Sequence, residues 1–220
     1  LKKLVSNSPV ETQRILSIKS PVGQPIEIFK HVFTTKFNKP RVSFVAGLHG
    51  DELEGLYICH KLLQYLKNLE ANHPEAIQAE INIYPAVNPQ ALENSMRLWP
   101  FFSIDINRTF GSIQTDSLAV ETSQTLLEDL KSSSDVVIDF HSSNLQLFEI
   151  PQIRIIKDFE QKLLPLAKKC NVDLIWVHPN AEIFASTLGF NLNSAKIPTL
   201  VIETGVCLSI HPEKGDKIFN

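Results

Sequence analysis

The sequence predicts an α/β protein, a three-layer sandwich in which helices cover a mixed, mostly parallel central sheet. Short runs of β-forming residues alternate along the chain with longer segments whose apolar residues recur every three or four positions. One run, residues 135–140, is almost continuously apolar, which is typical of a strand buried on both faces of a parallel sheet. The 220 residues are 43% hydrophobic, so the chain can bury one substantial core.

The sequence pattern predicts four strands and one long helix in the first part of the chain. Residues 13–19 and 26–33 are rich in β-formers, and the Pro and Gly residues between them predict a hairpin or a pair of edge strands. A third strand is predicted at 41–46. Residues 52–69 follow as an amphipathic helix, because apolar residues recur there at three- and four-residue steps. Another short strand is expected at 81–84.

The second part begins with a long connection, residues 85–112, that resists regular assignment. A connection of this length inside a compact domain is more often functional than idle. A helix is expected over 116–131, with Asp116 or Thr115 as its cap. The remaining predicted elements are the strand at 135–140, an irregular loop with some strand character at 142–156, a helix at 157–170, a strand at 173–177, a short helix near 181–190 and a last strand at 198–203.

Composition limits the classes of function. The formal net charge is −3, so no basic field points to nucleic acid or to an anionic membrane as a partner. No apolar run approaches the roughly 20 residues that span a bilayer. The 3 cysteines are far apart and odd in number, which suits a reducing compartment and argues against a disulfide framework. We therefore expect a cytoplasmic protein.

A glycine-flanked histidine lies between the strand predicted at 41–46 and the helix that follows it. His49 and Glu52, within Gly-Leu-His-Gly-Asp-Glu, are side chains of the types that Zn²⁺ prefers. The end of a buried strand is also the usual place for a ligand site in an open α/β sheet. Acidic residues at a helix N-terminus would fit the helix dipole equally well. Alone, a His-x-x-Glu motif is therefore a weak signal.

Two other predicted strands end in similar residues. His141 directly follows the strand at 135–140, and Glu203 follows the last strand. Because the carboxyl ends of parallel strands meet at one sheet edge, His49, Glu52, His141 and Glu203 are expected to converge. Two histidines and one carboxylate leave a position on zinc open for water, which leaves Glu203 free to act as a general base. Taken singly, His141 could be a loop histidine and Glu203 the partner of a lysine.

Two aspartates could support metal-bound histidines. Asp139 stands two residues before His141, and Asp105 stands two residues before Asn107. Metal-bound histidines usually donate their second ring N–H to a carboxylate or a carbonyl group. Capping of a turn or helix is an equally common role for aspartate, so both readings stay open.

The long connection also carries two arginines, Arg97 and Arg108. A guanidinium group binds carboxylates through paired hydrogen bonds, and the neighbouring amide of Asn107 adds a neutral donor. Beside a zinc site, one arginine could stabilise a developing oxyanion and the other could hold a substrate carboxylate. Without such a site, both would be surface residues of a loop.

Six motifs occur in the order found in the succinylglutamate desuccinylase/aspartoacylase family, which the chain resembles from about residue 40 to 205. They are Gly47-Leu48-His49-Gly50-Asp51-Glu52, Asn88-Pro89, Arg97, Asp105-Ile106-Asn107-Arg108, Asp139-Phe140-His141 and Glu203. The family consists of zinc-dependent amidohydrolases with a fold like that of metallocarboxypeptidases. The resemblance implies a zinc-hydrolase catalytic domain over residues 39–220, with residues 1–38 as a β-rich lead-in to its sheet.

The resemblance also implies a role for the residues of the metal centre. His49, Glu52 and His141 would bind one Zn²⁺ per chain. Glu203 would act as the general acid and base, and Arg97 would polarise the scissile carbonyl group. The expected function is zinc-dependent hydrolysis of the amide bond of an N-acyl amino acid or a similar small anionic amide.

The same resemblance implies which residues contact the substrate and which orient the metal-bound histidines. Asn107 and Arg108 would grip a substrate carboxylate, and Asp105 would support His49. Asp139 is a second candidate for such support. The stretch that ends at Arg154 is similar to that of uncharacterised bacterial deacylase-like members, which makes Arg154 a further substrate-contact candidate.

Two departures from the family leave the substrate open. Glu203 is followed by Thr204-Gly205-Val206, where relatives often carry two glycines. Many members also have a C-terminal β-rich domain that walls the active site, whereas this chain stops at Asn220. We therefore expect either a fragment or a more open pocket. The alternatives to a deacylase are a metallocarboxypeptidase acting on peptides and a non-catalytic zinc- or ligand-binding module.

Overall fold

One eight-stranded sheet forms the centre of the molecule in a computed structural model that describes residues 10–19, 23–35, 40–113 and 117–220. The strands are β1 (Val10–Lys19), β2 (Pro25–Phe33), β3 (Arg41–Val45), β4 (Glu80–Tyr84), β5 (Val136–Ser143), β6 (Glu149–Ile156), β7 (Leu174–His178) and β8 (Thr199–Val206). The α-helices are α1 (Leu53–Asn72), α2 (Pro89–Glu93), α3 (Leu118–Ser133), α4 (Glu160–Ala167), α5 (Leu188–Ser194) and α6 (Pro212–Phe219).

The strand order is β1-β2-β4-β3-β5-β8-β6-β7. The central strands β4, β3, β5 and β8 run parallel to one another. The hairpin of β1 and β2 adds to β4 in antiparallel orientation, and β6 runs antiparallel to β8 with β7 parallel to β6. The predicted mixed, mostly parallel sheet is therefore confirmed, since its antiparallel pairings lie outside the central block.

Helices cover both faces of the sheet, which confirms the three layers. One face packs against α3 and α5, where Leu130 and Leu192 share a buried cluster with Val137 of β5. The other face packs against α1 and α4, where Ile58 lies in a second cluster with Phe140 of β5. Val137 and Phe140 point to opposite faces because successive side chains alternate along a strand. Within the described ranges, no helix combines the length and apolar character needed to cross a membrane.

Several elements differ from the sequence expectation. The predicted loop at 142–156 contains the end of β5 and all of β6, so that only residues 144–148 lie outside strands. The polar residues Gln152 and Arg154 of β6 obscured its strand pattern. The short helix expected near 181–190 is α5, preceded by the 3₁₀ turn Glu182–Phe184, and α6 was not predicted.

The long connection between β4 and α3 holds little regular structure, as expected. It contains α2 and the 3₁₀ turn Ile106–Arg108, and a single bridge joins Trp99 to Ile104. The helix predicted over 116–131 is α3. Its predicted caps, Asp116 and Thr115, lie outside the described residues.

Candidate active site

The candidate metal ligands come from two neighbouring strands of the sheet. His49 and Glu52 lie in the turn between β3 and α1, and His141 lies in the adjacent strand β5. Ligand atoms of the three side chains lie within 4.8 Å of one another. Their residues are 2%, 3% and 4% exposed, so the group is buried. The structure thus brings together three side chains that are far apart in the sequence.

Two glycines shape the turn that carries His49. Gly47 has a φ of +72°, a left-handed conformation that favours glycine. Gly50 packs so closely on α2 that a Cβ atom there would lie 2.1 Å from the carbonyl carbon of Ala91. Glycine is therefore required on both sides of Leu48 and His49, and the turn directs the imidazole towards Glu52.

Glu52 bonds to both histidines. Its Oε1 lies 2.8 Å from Nδ1 of His49, and its Oε2 lies 2.9 Å from Nδ1 of His141. The opposite nitrogens face aspartates: Nε2 of His49 is 3.2 Å from Asp105, and Nε2 of His141 is 3.0 Å from Asp139. Both Nδ1 atoms therefore point to one centre, while each Nε2–H can donate to a carboxylate.

The charges within this group are strongly coupled. Burial lowers the pKa of both histidines, but the carboxylates of Glu52, Asp105 and Asp139 outweigh burial and raise those pKa values. Burial raises the pKa of Glu52, yet His141 and His49 hold that pKa well below its usual value. The centre therefore favours positive charge beside a carboxylate, a property that suits a cation held between the two Nδ1 atoms and Glu52.

Arg97 also approaches Glu52. Its Nη1 donates a 2.7 Å hydrogen bond to Oε1 of Glu52, and its side chain is 40% exposed. Arg97 thus lies at the edge of the buried group, between the candidate ligands and the solvent. From here the guanidinium can place positive charge next to an atom bound at the centre.

Glu203 lies on β8 beside His141, which it faces across the parallel pairing of β5 and β8. Burial raises the pKa of Glu203 to about 7, although the positive charges of His141 and Arg154 oppose this increase. Nη1 of Arg154 lies 3.3 Å from Oε1 of Glu203. A carboxyl group with this pKa can both accept and release a proton near neutral pH.

Glu149 is a residue that the sequence interpretation missed. It accepts a hydrogen bond from Nη2 of Arg154, whose guanidinium also stacks 5.5 Å from the ring centroid of Trp176. A register shift between Glu149 and Gln152, where β6 pairs with β8, brings Glu149 and Arg154 together although they are five positions apart. No sequence signal marks such a shift, so the pairing was not predictable.

Asn107 and Arg108 lie near the start of α5. Oδ1 of Asn107 accepts a 2.9 Å hydrogen bond from the backbone N–H of Leu188, the first residue of α5. Arg108 is exposed, and its Nη1 donates to the backbone carbonyl of Asn107. Asn107 thus ties the long connection to a helix, and Arg108 lies at the surface beside it.

One cavity of about 600 Å³ joins these side chains. Nine of the ten predicted site residues line it: His49, Glu52, Arg97, Asn107, Arg108, Asp139, His141, Arg154 and Glu203. The tenth, Asp105, reaches the site through its hydrogen bond with His49. The arrangement combines a buried group able to hold a cation, a carboxyl group with a pKa near neutrality, and three arginines in one cleft.

Comparisons with known proteins identify relatives of this chain. Residues 38–218 match the profile described as the succinylglutamate desuccinylase/aspartoacylase catalytic domain. Over 125 residues the chain is 30% identical to N-alpha-acetyl-L-2,4-diaminobutyric acid deacetylase from Halomonas elongata, covering 56% of this chain and 35% of that protein. The chain therefore spans about a third of the length of this curated relative.

Solved structures share the fold. A succinylglutamate desuccinylase/aspartoacylase from Rhodobacter sphaeroides has a TM-score of 0.77 at 21% identity, covering 96% of this chain and 61% of that chain. The ectoine utilization protein EutE (DoeB) from Ruegeria pomeroyi has a TM-score of 0.77 at 19% identity, covering 96% and 64%. A metallo-carboxypeptidase from Burkholderia cenocepacia has a TM-score of 0.72 at 12% identity, covering 96% and 62%.

These structural likenesses show the fold, including its similarity to a metallocarboxypeptidase. The sequence match over residues 38–218 shows more, because it covers most of the chain. The chain belongs to the succinylglutamate desuccinylase/aspartoacylase family.

Proposed function

We propose that the protein is a zinc-dependent deacylase that hydrolyses the amide bond of an N-acyl amino acid or a similar small anionic amide. The observation that carries this proposal is the convergence of His49, Glu52 and His141 with Glu203 in one cavity. A module that only binds zinc has no need of a buried carboxyl group with a pKa of about 7 beside it. The catalytic unit in this proposal is residues 39–220, with residues 1–38 as its lead-in.

The residues present fit one Zn²⁺ per chain. Nδ1 of His49, Nδ1 of His141 and the carboxylate of Glu52 would hold the ion, because all three already point to one centre. Asp105 and Asp139 would fix the two imidazole rings by accepting their Nε2–H groups. When bound, zinc lowers the pKa of a coordinated water and polarises a carbonyl oxygen.

Glu203 would move the proton. Its carboxylate accepts a proton from the attacking water as the water oxygen bonds to the amide carbon. The same carboxyl group then gives that proton to the amine nitrogen as the C–N bond breaks. The products are a carboxylate and a free amine. A pKa near 7 suits both steps, since accepting and releasing the proton are then similar in free energy.

The cationic side chains would stabilise and orient the substrate. Arg97, at the edge of the buried group, would stabilise the negative charge that develops on the carbonyl oxygen. Arg108, exposed beside the cleft, would bind the substrate carboxylate, and Asn107 would assist it while anchoring α5. Arg154 would contribute a further positive charge near Glu203.

The curated relative supports a deacylase more than a peptidase, because its name describes the removal of an acetyl group from an amino acid. The test combines elemental analysis of the purified protein with an activity screen over N-acetyl, N-succinyl and N-aspartyl substrates. Short blocked peptides serve as the comparison class. Stoichiometric zinc with faster turnover of N-acyl amino acids supports the proposal. Faster turnover of peptides would make the protein a carboxypeptidase, and purified protein without affinity for zinc would remove the metal site.

A further inference from the structure

The cavity continues beyond the candidate metal centre along the face of the sheet. Alternate residues of β8, namely Glu203, Val201 and Thr199, line it, as do Arg154 and Ile156 of β6. A strand rises about 3.3 Å per residue, so Thr199 lies roughly 13 Å from Glu203. This extension, called the arm from here on, leads from the catalytic carboxyl group towards the N-terminal end of β8.

Apolar side chains form the walls of the arm. Phe184 and Phe190 line it from the side of α5, and Leu163 of α4 also contributes to the lining of the cavity. Gly189 allows α5 to lie directly over the sheet, because a Cβ atom there would be 2.9 Å from Cγ2 of Val201. The roof of the arm is therefore built from closely packed elements of this chain.

Four polar residues of the arm bond to the chain's own backbone, namely His178, Thr187, Asn193 and Thr199. Oδ1 of Asn193 accepts from the N–H of Thr199, and its amide group donates to two backbone carbonyls. The hydroxyl groups of Thr187 and Thr199 donate to backbone carbonyls, as does Nδ1 of His178. Because these four side chains are already bonded, the apolar side chains of Ile156, Phe190 and Val201 supply the contacts that remain for an apolar group.

We propose that the arm is a specificity pocket for an apolar group of the substrate. The proposal rests on the proposed function, since the arm opens onto the candidate metal centre and would bind a substituent of the same molecule. The substrate would then be an N-acyl amino acid that carries a medium-length alkyl chain or an aromatic ring. The apolar group belongs either to the acyl part or to the amino acid side chain, and the substrate series below distinguishes the two.

Two substrate series test the proposal on the natural protein. In the first, the acyl group of N-acyl-L-alanine changes from acetyl to hexanoyl and octanoyl. In the second, the amino acid of the N-acetyl compound changes from alanine to leucine and phenylalanine. We expect kcat/KM to increase along one series by about fourfold for each methylene group that enters the arm. The series that shows the increase identifies the occupant, and constant or decreasing values in both series would overturn the proposal.

A variant with a narrowed arm provides the second measurement. Ile156→Phe places a larger side chain in the arm, so the ratio of kcat/KM for the large substrate to that for the small one should fall roughly tenfold or more. Ile156→Ala widens the arm and should shift the preference to a longer group, which keeps the test valid if Ile156→Phe does not fold. The matched control is Ile183→Phe, because Ile183 is 59% exposed and does not line the cavity. An unchanged ratio in both Ile156 variants would refute the role of the arm.

A binding measurement separates this proposal from the function on which it rests. If the natural protein hydrolyses no member of either series and no substrate of the N-acetyl, N-succinyl and N-aspartyl screen, the proposed deacylase activity fails. Isothermal titration with N-octanoyl-L-alanine, N-acetyl-L-phenylalanine and N-acetyl-L-alanine then tests the arm alone. Tighter binding of an apolar compound, weakened by Ile156→Phe, supports the arm, whereas equal affinities for all three compounds would overturn it.

Discussion

Replacing Glu203 by glutamine removes the proposed proton acceptor and keeps the size of the side chain. Glu203 lies beside His141 on the neighbouring strand, but it is not one of the three candidate ligands. We therefore expect Glu203→Gln to bind as much zinc as the natural protein. An amide side chain cannot take a proton from water near neutral pH, so kcat should fall by about 10²- to 10⁴-fold.

The pH dependence of hydrolysis by the natural protein tests the role of Glu203 independently. The carboxylate form of Glu203 is the base, and burial raises its pKa to about 7, so activity should increase as the pH rises through that value. One unit below the pKa about one-tenth of the molecules carry the base, and one unit above it about nine-tenths do. A bound cation favours the carboxylate, so the measured midpoint should lie at or below 7.

The same pKa has an opposite effect on stability. Between the ordinary value of 4.5 and about 7, the metal-free folded protein holds a proton on Glu203 that the unfolded chain has released. The free energy of unfolding should therefore decrease as the pH rises through this interval, and Glu203→Gln should remove that contribution. Activity and stability thus change in opposite directions with pH at this one side chain.

The assay is steady-state hydrolysis of the best substrate across this pH range, with zinc measured on the same samples. Glu182→Gln is the matched control, since Glu182 is exposed in a 3₁₀ turn and its replacement should leave both rate and pH profile unchanged. Turnover retained in Glu203→Gln, with the acidic limb of the profile still present, would refute the assigned role. Loss of zinc from that variant would show that Glu203 is a ligand instead.

Three further predictions concern the candidate metal ligands and the residues that position them. His49→Ala and His141→Ala should each lower the zinc content measured by elemental analysis, and full zinc content in both would remove the proposed site. Asp139→Asn should weaken zinc binding about 10- to 100-fold in a chelator competition, because His141 loses the carboxylate that orients its ring. Gly50→Ala should lower the free energy of unfolding by about 3 kcal/mol, because the added Cβ would collide with the backbone of Ala91. Denaturant titrations measure this change. A free energy of unfolding equal to that of the natural protein would contradict the close packing.

The convergence of the candidate metal ligands was predictable, because these side chains lie at the ends of strands. His49, His141 and Glu203 each stand at or just after a run of β-formers, and parallel strands place such positions at one edge of the sheet. The hydrophobic pattern was enough to locate those strands, and the strand order then brought the residues together. Histidine and carboxylate side chains at that edge indicated a candidate metal site, and the order of the family motifs supplied most of the support for it.

Other parts of the site depend on contacts that no local pattern reveals. Glu149 reaches Arg154 only because β6 and β8 change register between Glu149 and Gln152. The arm depends on how closely Gly189 lies to Val201, a contact between residues on separate elements. Sequence periodicity reports which face a residue occupies, but it does not report the distance between two packed elements.

The candidate ligands also connect parts of the chain that are far apart in sequence. Glu52 and His141 are 89 positions apart: Glu52 lies in the turn between β3 and α1, and His141 lies in β5. A cation held by both side chains would bind the folded protein and leave when the chain unfolds, so its binding free energy would add to the stability of the fold. The site that would perform the chemistry would then also act as a removable cross-link, so that metal supply would control how long the folded protein survives.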